Sequence, residues 1–204
     1  MKKVIAMSSV LLGVVFLAGC GSQAQPTAPT PVTQEPTQAV GRVNLTNTFT
    51  DETLGCEIKY PEDWNYEKAK KDNLDLIAFG FKNEPKDSYI VVGLKVLKRE
   101  EAMDYGVTDF VMKNKYENDI LTLDKNAKIY DEKDFTYTFA DGTNSIGRAF
   151  KADYIDSGMK VREWMIIVPS GKKLFMFTYE ADMNNYDSYY NVATGMLDSW
   201  KIAK

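Results

Sequence analysis

Two runs of consecutive apolar residues near the C-terminus, separated by one short turn, constrain the fold of this chain most. Met165–Val168 and Leu174–Phe177 are apolar at every position, and a Pro-Ser-Gly turn over residues 169–171 lies between them. So short a connection forces the two strands to pair antiparallel. Strands that are apolar on both sides lie in the centre of a sheet that is covered on both faces. The two runs therefore predict an antiparallel sheet between two further layers.

Alternation of apolar and polar residues, together with the turns between these segments, predicts the other strands. The predicted strands are Thr46–Thr50, Cys56–Tyr60, Leu74–Phe81, Tyr89–Leu97, Lys128–Phe139, Ser145–Ile155, Lys160–Val168 and Lys173–Ala181.

Two helices are predicted beside these strands. One spans about residues 108–122, with Thr108 as its N-cap, and the other spans residues 186–200, with Asn184 or Asn185 as its N-cap. The predicted fold class is therefore α+β. It is an α/β/α sandwich with a mostly antiparallel sheet of about seven strands, one inserted helix and one C-terminal helix.

Two stretches resemble PsbP-like domains. Ile58–Trp64 (Ile-Lys-Tyr-Pro-Glu-Asp-Trp) resembles the opening strand and YPxxW motif of that family. Phe177–Ala181, the helix after it and residues 198–202 resemble its closing strand, helix and strand, with Trp200 where Phe is more usual. The similarity in element order covers Phe49–Ile202. It implies the PsbP/Mog-like α/β/α sandwich and a binding or assembly role, and it implies no catalytic residues.

The first twenty residues resemble the signal peptide of a bacterial lipoprotein. Two lysines precede an apolar run that ends in Leu17–Cys20 (Leu-Ala-Gly-Cys), which resembles a lipobox. The run is shorter than the roughly 20 apolar residues of a spanning helix. The resemblance implies cleavage between Gly19 and Cys20 and a diacylglycerol on the Cys20 thiol. That lipid would hold the protein on the extracytoplasmic side of the cell membrane. A plain secretory signal or an uncleaved anchor is the alternative.

The segment after this cysteine predicts a tether. Residues 22–42 contain four of the seven prolines of the chain and no aromatic residue. Such a segment buries too little apolar surface to fold, and its prolines favour an extended spacer of up to about 60 Å. The predicted organisation is a signal peptide over residues 1–19, a lipidated cysteine with a disordered tether over 20–42, and a PsbP-like globular domain over 43–204.

The charge balance excludes some classes of function. The chain has 25 Lys and Arg, 29 Asp and Glu and no histidine, so its net charge is −4. Removal of residues 1–19 would take two lysines and leave −6. An acidic chain disfavours a nucleic-acid partner. The lack of histidine removes the usual general base and the commonest metal ligand. We therefore predict no nucleic-acid partner, no cofactor, no metal site and no catalytic residue.

Two motifs have simple structural interpretations. Cys56 is the one cysteine besides Cys20. Because no histidine can lower its pKa, we interpret it as a core residue rather than a nucleophile. Residues 169–173 (Pro-Ser-Gly-Lys-Lys) lack the second glycine of a phosphate-binding loop, and a strand follows them. They predict a hairpin turn.

Three groupings of acidic residues are candidate cation or catalytic sites. Residues 131–134 (Asp-Glu-Lys-Asp) and the pair Asp182 and Asp187 lack the spacing of a calcium loop, so they predict solvated turns. Asp153 and Glu163, on neighbouring predicted strands, are the candidate carboxylates of a glycan hydrolase. We expect both at outward strand positions that face Lys or Arg.

Three functions are compatible with these observations. The leading hypothesis is a non-catalytic, lipid-anchored module that binds a protein or cell-wall component outside the membrane. The alternatives are a cell-wall glycan hydrolase that uses Asp and Glu, and a solute-binding lipoprotein, for which a single domain is small. Tyrosines are expected mainly to fill the core, and a surface tyrosine patch is where a partner is expected first. The tyrosines concerned are Tyr130, Tyr137, Tyr154, Tyr179, Tyr186, Tyr189 and Tyr190.

Overall fold

The structure is a computed structural model that describes residues 43–71, 74–82, 89–98 and 117–203. The contacts within the chain divide it between Val40 and Gly41, and all described residues belong to the second unit. The strands in the described ranges are β1 (Asn47–Asp51), β2 (Cys56–Tyr60), β3 (Trp64–Lys71), β4 (Leu74–Phe81), β5 (Ile90–Lys98), β6 (Lys128–Thr138), β7 (Asn144–Asp156), β8 (Met159–Ser170), β9 (Lys173–Asp182) and β10 (Lys201–Ile202). The helices there are α1 (Glu117–Leu123) and α2 (Tyr186–Ser199).

Seven strands form one antiparallel sheet in the order β3-β4-β5-β9-β8-β7-β6. Two meanders, β3 to β5 and β6 to β9, lie side by side and are joined where β5 pairs with β9. The predicted antiparallel sheet of about seven strands is confirmed. β8 and β9 are interior strands of this sheet, as their continuous apolar runs predicted.

The sheet is buried on both faces along its interior strands β8 and β9. Successive residues of a strand point to opposite sides, so neighbouring buried residues there belong to different faces. Ile166 and Phe177, which are directly opposed on β8 and β9, lie in the main core with residues of α2. We call this side the α2 face. Met165, Ile167 and Leu174 are fully buried on the other side, which we call the α1 face. The expected covered sheet is therefore confirmed.

Two-residue turns connect β7 to β8 and β8 to β9. Asp156 pairs with Met159, and Ser157 and Gly158 between them have φ angles of 50° and 85°. Two positive φ angles are typical of the type I′ turn, whose twist matches that of the strands. The predicted hairpin at residues 169–173 is also confirmed, and its loop consists of Gly171 and Lys172.

A second, three-stranded sheet in the order β1-β2-β10 packs on the α2 face. The ring of Phe49 on β1 lies 5.7 Å from that of Phe79 on β4, and both side chains are buried. The sequence pattern predicted β1 and β2 but neither this separate sheet nor strand β3. Strand β3 was not predicted. It is an edge strand whose residues 65–70 are all exposed, so its sequence shows no alternation of apolar and polar residues.

Asp182 holds the N-terminus of α2. Asn185 is the N-cap residue, as predicted, but its side chain makes no capping hydrogen bond. Instead, Asp182 Oδ1 accepts hydrogen bonds from the backbone N–H groups of Asn184 (3.1 Å) and Asn185 (3.2 Å). Its Oδ2 accepts one from the N–H of Tyr89 (3.2 Å). Asp182 is 5% exposed. The predicted solvated turn is therefore wrong for Asp182, whereas Asp187 is exposed.

The described part of the inserted helix is α1, which overlaps the end of the predicted helix over residues 108–122. Residues 99–116, with the rest of that prediction, lie outside the described residues. Ile120 is 3% exposed and packs on the α1 face against Ala152 and Val161. Asp124, just after the helix, accepts a hydrogen bond from the N–H of Ile155 at 3.0 Å.

Candidate functional site

The predicted lipidation site lies outside the part of the chain that the structure describes. Cys20, the cleavage position at Gly19 and the tether over residues 20–42 therefore stay predictions. Of the helices in the described ranges, none has the length and apolar character needed to cross a membrane.

Cys56 is a free, buried thiol on β2 with 4% exposure. Burial, and then the negative charge of Asp51, raise the pKa of this thiol to about 11. The thiolate is the reactive form of cysteine, and it is scarce at neutral pH when the pKa lies so high. The prediction of a core residue is therefore confirmed.

Asp153 faces an arginine, as expected. Its two carboxylate oxygens accept hydrogen bonds from Arg162 Nε (2.7 Å) and Nη2 (3.0 Å), and Tyr130 donates a third at 2.9 Å. Partial burial acts to raise the pKa of Asp153, but the hydrogen bonds from Arg162 and Tyr130 outweigh it and lower the pKa below its usual value. Asp153 therefore stays ionised and is held in place.

The second candidate carboxylate, Glu163, does not lie where the sequence predicted. It is 1% exposed, and the residue opposite it on β7 is Ala152, whereas Asp153 is opposite Arg162. Glu163 thus points to the α1 face and Asp153 to the α2 face. The expectation of an outward position for Glu163 is wrong. The two carboxylates cannot act on one glycosidic bond, because the sheet separates them.

Glu163 belongs instead to a buried polar group on the α1 face. Its cross-strand neighbour on β9 is Glu180. Tyr154 donates a hydrogen bond to Glu163 at 3.4 Å, and Tyr89 donates one to Glu180 at 2.8 Å. Burial first, and then the nearby carboxylates, raise the pKa of both phenols, so they remain donors. With Glu163 closed off from solvent, this group cannot receive a large substrate.

The acidic segment over residues 131–134 is exposed, as predicted, but it lies in edge strand β6 rather than in a turn. Asp131 has a φ angle of 54°, next to an irregularity in the pairing with β7. Arg148 lies 3.4 Å from Glu132 and 3.1 Å from Asp134, and Lys151 lies 3.4 Å from Asp131. These carboxylates are engaged by basic residues of the next strand. Across the described ranges, no group of three His, Cys, Asp or Glu side chains could hold a metal ion.

Most of the tyrosines fill the core, as predicted. Tyr154, Tyr179 and Tyr186 are buried, and the other four of the set are half-buried. The Tyr179 hydroxyl donates to the carbonyl of Tyr186 at 2.6 Å, which ties β9 to α2. The expected tyrosine patch is not found among these seven. The most exposed aromatic residue in the described part is instead Tyr66 on β3, at 42%.

A groove opens between the β1–β2 turn and the adjoining ends of β3, β4 and β5. Its volume is about 400 Å³, within the range of small-ligand sites. Two of its residues, Leu54 and Ile77, are buried and apolar. We call it the inter-sheet groove. It is lined by Asp51, Thr53, Leu54, Lys68, Ala69, Lys70, Asp75, Leu76, Ile77 and Lys98.

Lysines outnumber carboxylates in the inter-sheet groove. Lys68 Nζ lies 2.9 Å from Asp51 Oδ2, and Lys98 Nζ lies 3.0 Å from Asp75 Oδ2. The hydrogen bond between Lys68 and Asp51 lowers the pKa of the carboxyl and raises the pKa of the ammonium, so both stay charged at neutral pH. Lys70 is exposed and lies directly opposite Asp75 in the register of β3 and β4.

Lys173 adds another positive charge beside the groove. Its Nζ donates hydrogen bonds to the carbonyls of Leu54 (2.7 Å) and Thr53 (3.3 Å), which leave its charge in place. The register of β5 and β9 sets Lys173 directly opposite Lys98. Like charges opposite each other in a sheet repel. The groove is thus a local site of positive charge in a chain whose net charge is −4.

The inter-sheet groove was not predicted, because its lysines come from β3 and β5, and Lys173 beside it comes from β9, which is distant along the chain. The alternation of Lys68 and Lys70 was a usable signal, since it places both on one side of a strand. Recognising their proximity to Lys98 and Lys173 also needed the order of strands in the sheet.

The fold is a PsbP-like α+β sandwich, and a charged groove lies between its two sheets. The sandwich is similar to the solution structure of cyanobacterial PsbP (CyanoP) from Synechocystis sp. PCC 6803, with a TM-score of 0.54 and 15% identity over 83% of this chain and 98% of that one. At this identity the likeness shows the fold alone.

Two other solved structures have a TM-score of 0.42, too low to support an argument. One is a protein from Bacteroides thetaiotaomicron VPI-5482, at 11% identity over 77% of this chain and 48% of that one. The other is LpqN, involved in cell envelope biogenesis of Mycobacterium tuberculosis, at 16% identity over 73% and 83%. No family model and no curated protein matches the sequence.

Proposed function

We propose that this chain is a non-catalytic binding module, anchored by lipid on the extracytoplasmic side of the cell membrane. In this account Cys20 carries the lipid, residues 20–42 form the tether, and the PsbP-like domain binds a protein or cell-wall component through the inter-sheet groove.

The observation that carries the proposal is that both carboxylates of that groove are paired with lysines. Asp51 and Asp75 are each held by a lysine at about hydrogen-bond distance, 2.9 and 3.0 Å. A general acid or base needs a proton that it can exchange near neutral pH. The pKa of Asp51 is lowered and the pKa of Lys68 is raised, so neither side chain exchanges a proton readily near neutral pH. Fixed charges around an open groove suit the binding of a ligand.

The position of the candidate carboxylates favours binding over glycan hydrolysis. Asp153 is held by Arg162 on the α2 face, and Glu163 is buried on the α1 face. The pattern of two lysines, an apolar run and Leu-Ala-Gly-Cys supports an anchor outside the cytoplasm. The inter-sheet groove has a volume of about 400 Å³. A small sandwich with such a groove fits a module that binds its partner through one surface.

Site-specific photo-crosslinking on intact cells tests this function. A photoreactive residue at Thr53, in the groove, is compared with one at Ser157, an exposed turn residue between β7 and β8. We expect a reproducible adduct from Thr53 and none from Ser157. Equal adducts from both positions, or none from Thr53, would contradict binding through the groove.

A further inference from the structure

We propose that strand β3 is the interface of a symmetric dimer, in which β3 of a second copy of this chain pairs antiparallel with it, centred on Tyr66. β3 is the terminal strand of the seven-stranded sheet, and within the described ranges no strand pairs with its outer side. Its residues 65–70 are all exposed. In the dimer one continuous sheet runs through both copies. This inference concerns the edge of the sheet and goes beyond the proposed binding at the inter-sheet groove.

The two edges of the sheet differ in how they resist pairing with another strand. Proteins protect an open edge with bulges and charged side chains. The edge strand β6 has both devices, an irregular register beside the positive φ angle of Asp131 and an acidic segment over residues 131–134. In contrast, β3 pairs with β4 over all eight of its residues without a shift. The outer side of β3 is therefore regular enough to pair with another strand.

The lysines of β3 protect its edge only weakly. Lysine is a common guard against pairing at an edge. Here, however, Lys68 Nζ is held 2.9 Å from Asp51 on β1, so its charge is neutralised and directed over the α2 face. Lys70 lies opposite Asp75 on β4, and opposite charges in that arrangement attract. Both side chains have a carboxylate on their own copy.

Hydrogen bonding to β4 determines which residues of β3 present their backbone to the open edge. The N–H of Lys82 donates to the carbonyl of Asp63 at 2.9 Å, which continues the register of β3 and β4. Hydrogen-bonded and non-hydrogen-bonded pairs alternate along an antiparallel ladder. The odd-numbered residues of β3 therefore bond to β4, and the N–H and C=O groups of Tyr66, Lys68 and Lys70 point outward.

Charge rules out most registers of a β3 pair. Symmetric pairing centred on Glu67 or on Lys68 sets that residue opposite its own copy. Pairing centred on Ala69 sets Lys68 opposite Lys70. Like charges that are directly opposite destabilise a sheet. Centres nearer the ends of β3 shorten the overlap, so the remaining centre is Tyr66.

The register centred on Tyr66 opposes no like charges. Each Tyr66 faces the Tyr66 of the copy, and an aromatic pair in this position stabilises an antiparallel sheet. The Tyr66 ring is 42% exposed and already packs edge-on against Phe49 at 4.9 Å, so little side-chain freedom is left to lose. Asn65 faces Glu67 of the copy, and symmetry repeats this contact. Such a two-fold, self-complementary contact is the commonest arrangement of protein dimers.

Disulfide cross-linking in intact cells that produce the full-length chain tests this register. Tyr66→Cys sets two thiols opposite each other with Cα atoms about 5.5 Å apart, within the range of a disulfide. Lys70→Cys is the matched control on the same edge. In the proposed register Lys70 faces Glu62 of the copy, so the two Lys70 Cα atoms lie about 26 Å apart. Wild type gives the background from Cys20 and Cys56.

With copper phenanthroline as oxidant, we expect a covalent dimer from Tyr66→Cys, and only the wild-type background from Lys70→Cys. Equal cross-linking of the two variants would show random collision and overturn the proposal. No cross-link from Tyr66→Cys would overturn it as well.

Charge variants of Asn65 distinguish a dimer contact from damage to the fold. In the proposed register Asn65→Lys sets opposite charges against Glu67 of the copy, and Asn65→Glu sets like charges there. The dissociation constant of the dimer is measured by analytical ultracentrifugation of the full chain extracted in detergent. We expect it to fall about threefold or more in Asn65→Lys and to rise about threefold or more in Asn65→Glu.

Ser157→Lys and Ser157→Glu make the same changes of charge at the exposed turn between β7 and β8, and should leave the dissociation constant unchanged. A monomeric wild-type protein, or shifts of the same sign in both Asn65 variants, would overturn the dimer. An adduct from Thr53 in cells would be unaffected by that result, because the groove and the edge are tested separately.

Discussion

Gly147 on β7 lies so close to Ile167 on β8 that a Cβ atom at Gly147 would be 1.9 Å from the carbonyl oxygen of Ile167. The obstacle is backbone of an interior strand, so it cannot rotate away as a side chain would. Only glycine fits at this point between β7 and β8, and the packing of both sheet faces depends on the position of these two strands.

Gly147→Ala should therefore destabilise the fold strongly. The clash forces strand β7 away from β8, and we expect a loss of at least about 3 kcal/mol in the free energy of unfolding. Urea unfolding followed by tryptophan fluorescence measures it. Gly80→Ala is the matched control, because the nearest atom to its Cβ would be the carbonyl oxygen of Ile90 at an ordinary 3.6 Å. A Gly147→Ala variant as stable as this control would refute the close approach of the strands.

The ion pair of Asp153 and Arg162 makes stability depend on pH. Since the pKa of Asp153 is lowered in the folded protein, the pair stabilises the fold above the unfolded-state pKa, which is about 3.9. This contribution is lost as the pH falls through the lowered pKa. Asp153→Asn should cost about 1–2 kcal/mol at pH 7, and the difference from wild type should shrink below about pH 4.

Urea unfolding across this pH range checks the prediction for Asp153. Asp63→Asn, at an exposed turn residue, serves as the control and should leave the stability at pH 7 within about 0.5 kcal/mol of wild type. A pH-independent effect of Asp153→Asn would show that packing, and not the ion pair, is what the substitution changes.

Cys56 should react slowly with thiol reagents in the native protein. In a Cys20→Ser chain it is the only thiol, so labelling reports on it alone. Burial raises its pKa to about 11, against about 8.5 for a free cysteine. At pH 8 we expect labelling of the folded chain to be at least about 100-fold slower than labelling in denaturant. Fast labelling of the native chain would contradict the buried position on β2.

The sequence predicted the centre of this fold better than its borders. The continuous apolar runs of β8 and β9 identified interior strands, because burial on both faces leaves no polar position. Strand β3 has exposed side chains such as Tyr66 and Lys68, and an edge strand of this kind carries no apolar period. The separate sheet of β1, β2 and β10 depends on pairing between segments that are far apart along the chain, as in the pairing of Cys56 with Ile202.

For the candidate site, the prediction was correct for one carboxylate and wrong for the other. Asp153 lies beside Arg162, as charge pairing predicted. Glu163 lies two residues from both Val161 and Met165, so the three side chains are on the same side of β8. Because Val161 and Met165 are buried, this alternation predicts that Glu163 is buried too. The expectation that charged residues point outward overrode this signal. Glu163 is tolerated inside because Tyr154 donates a hydrogen bond to it, beside a second pair in which Tyr89 donates to the half-buried Glu180.

The most direct test of the anchored binding module is the mass of the product isolated from cell membranes. We predict a chain that starts at Cys20, carries a diacylglycerol on that cysteine, and is no longer processed or held in this way after Cys20→Ala. A full-length, unacylated chain recovered from the cytosol would contradict the account.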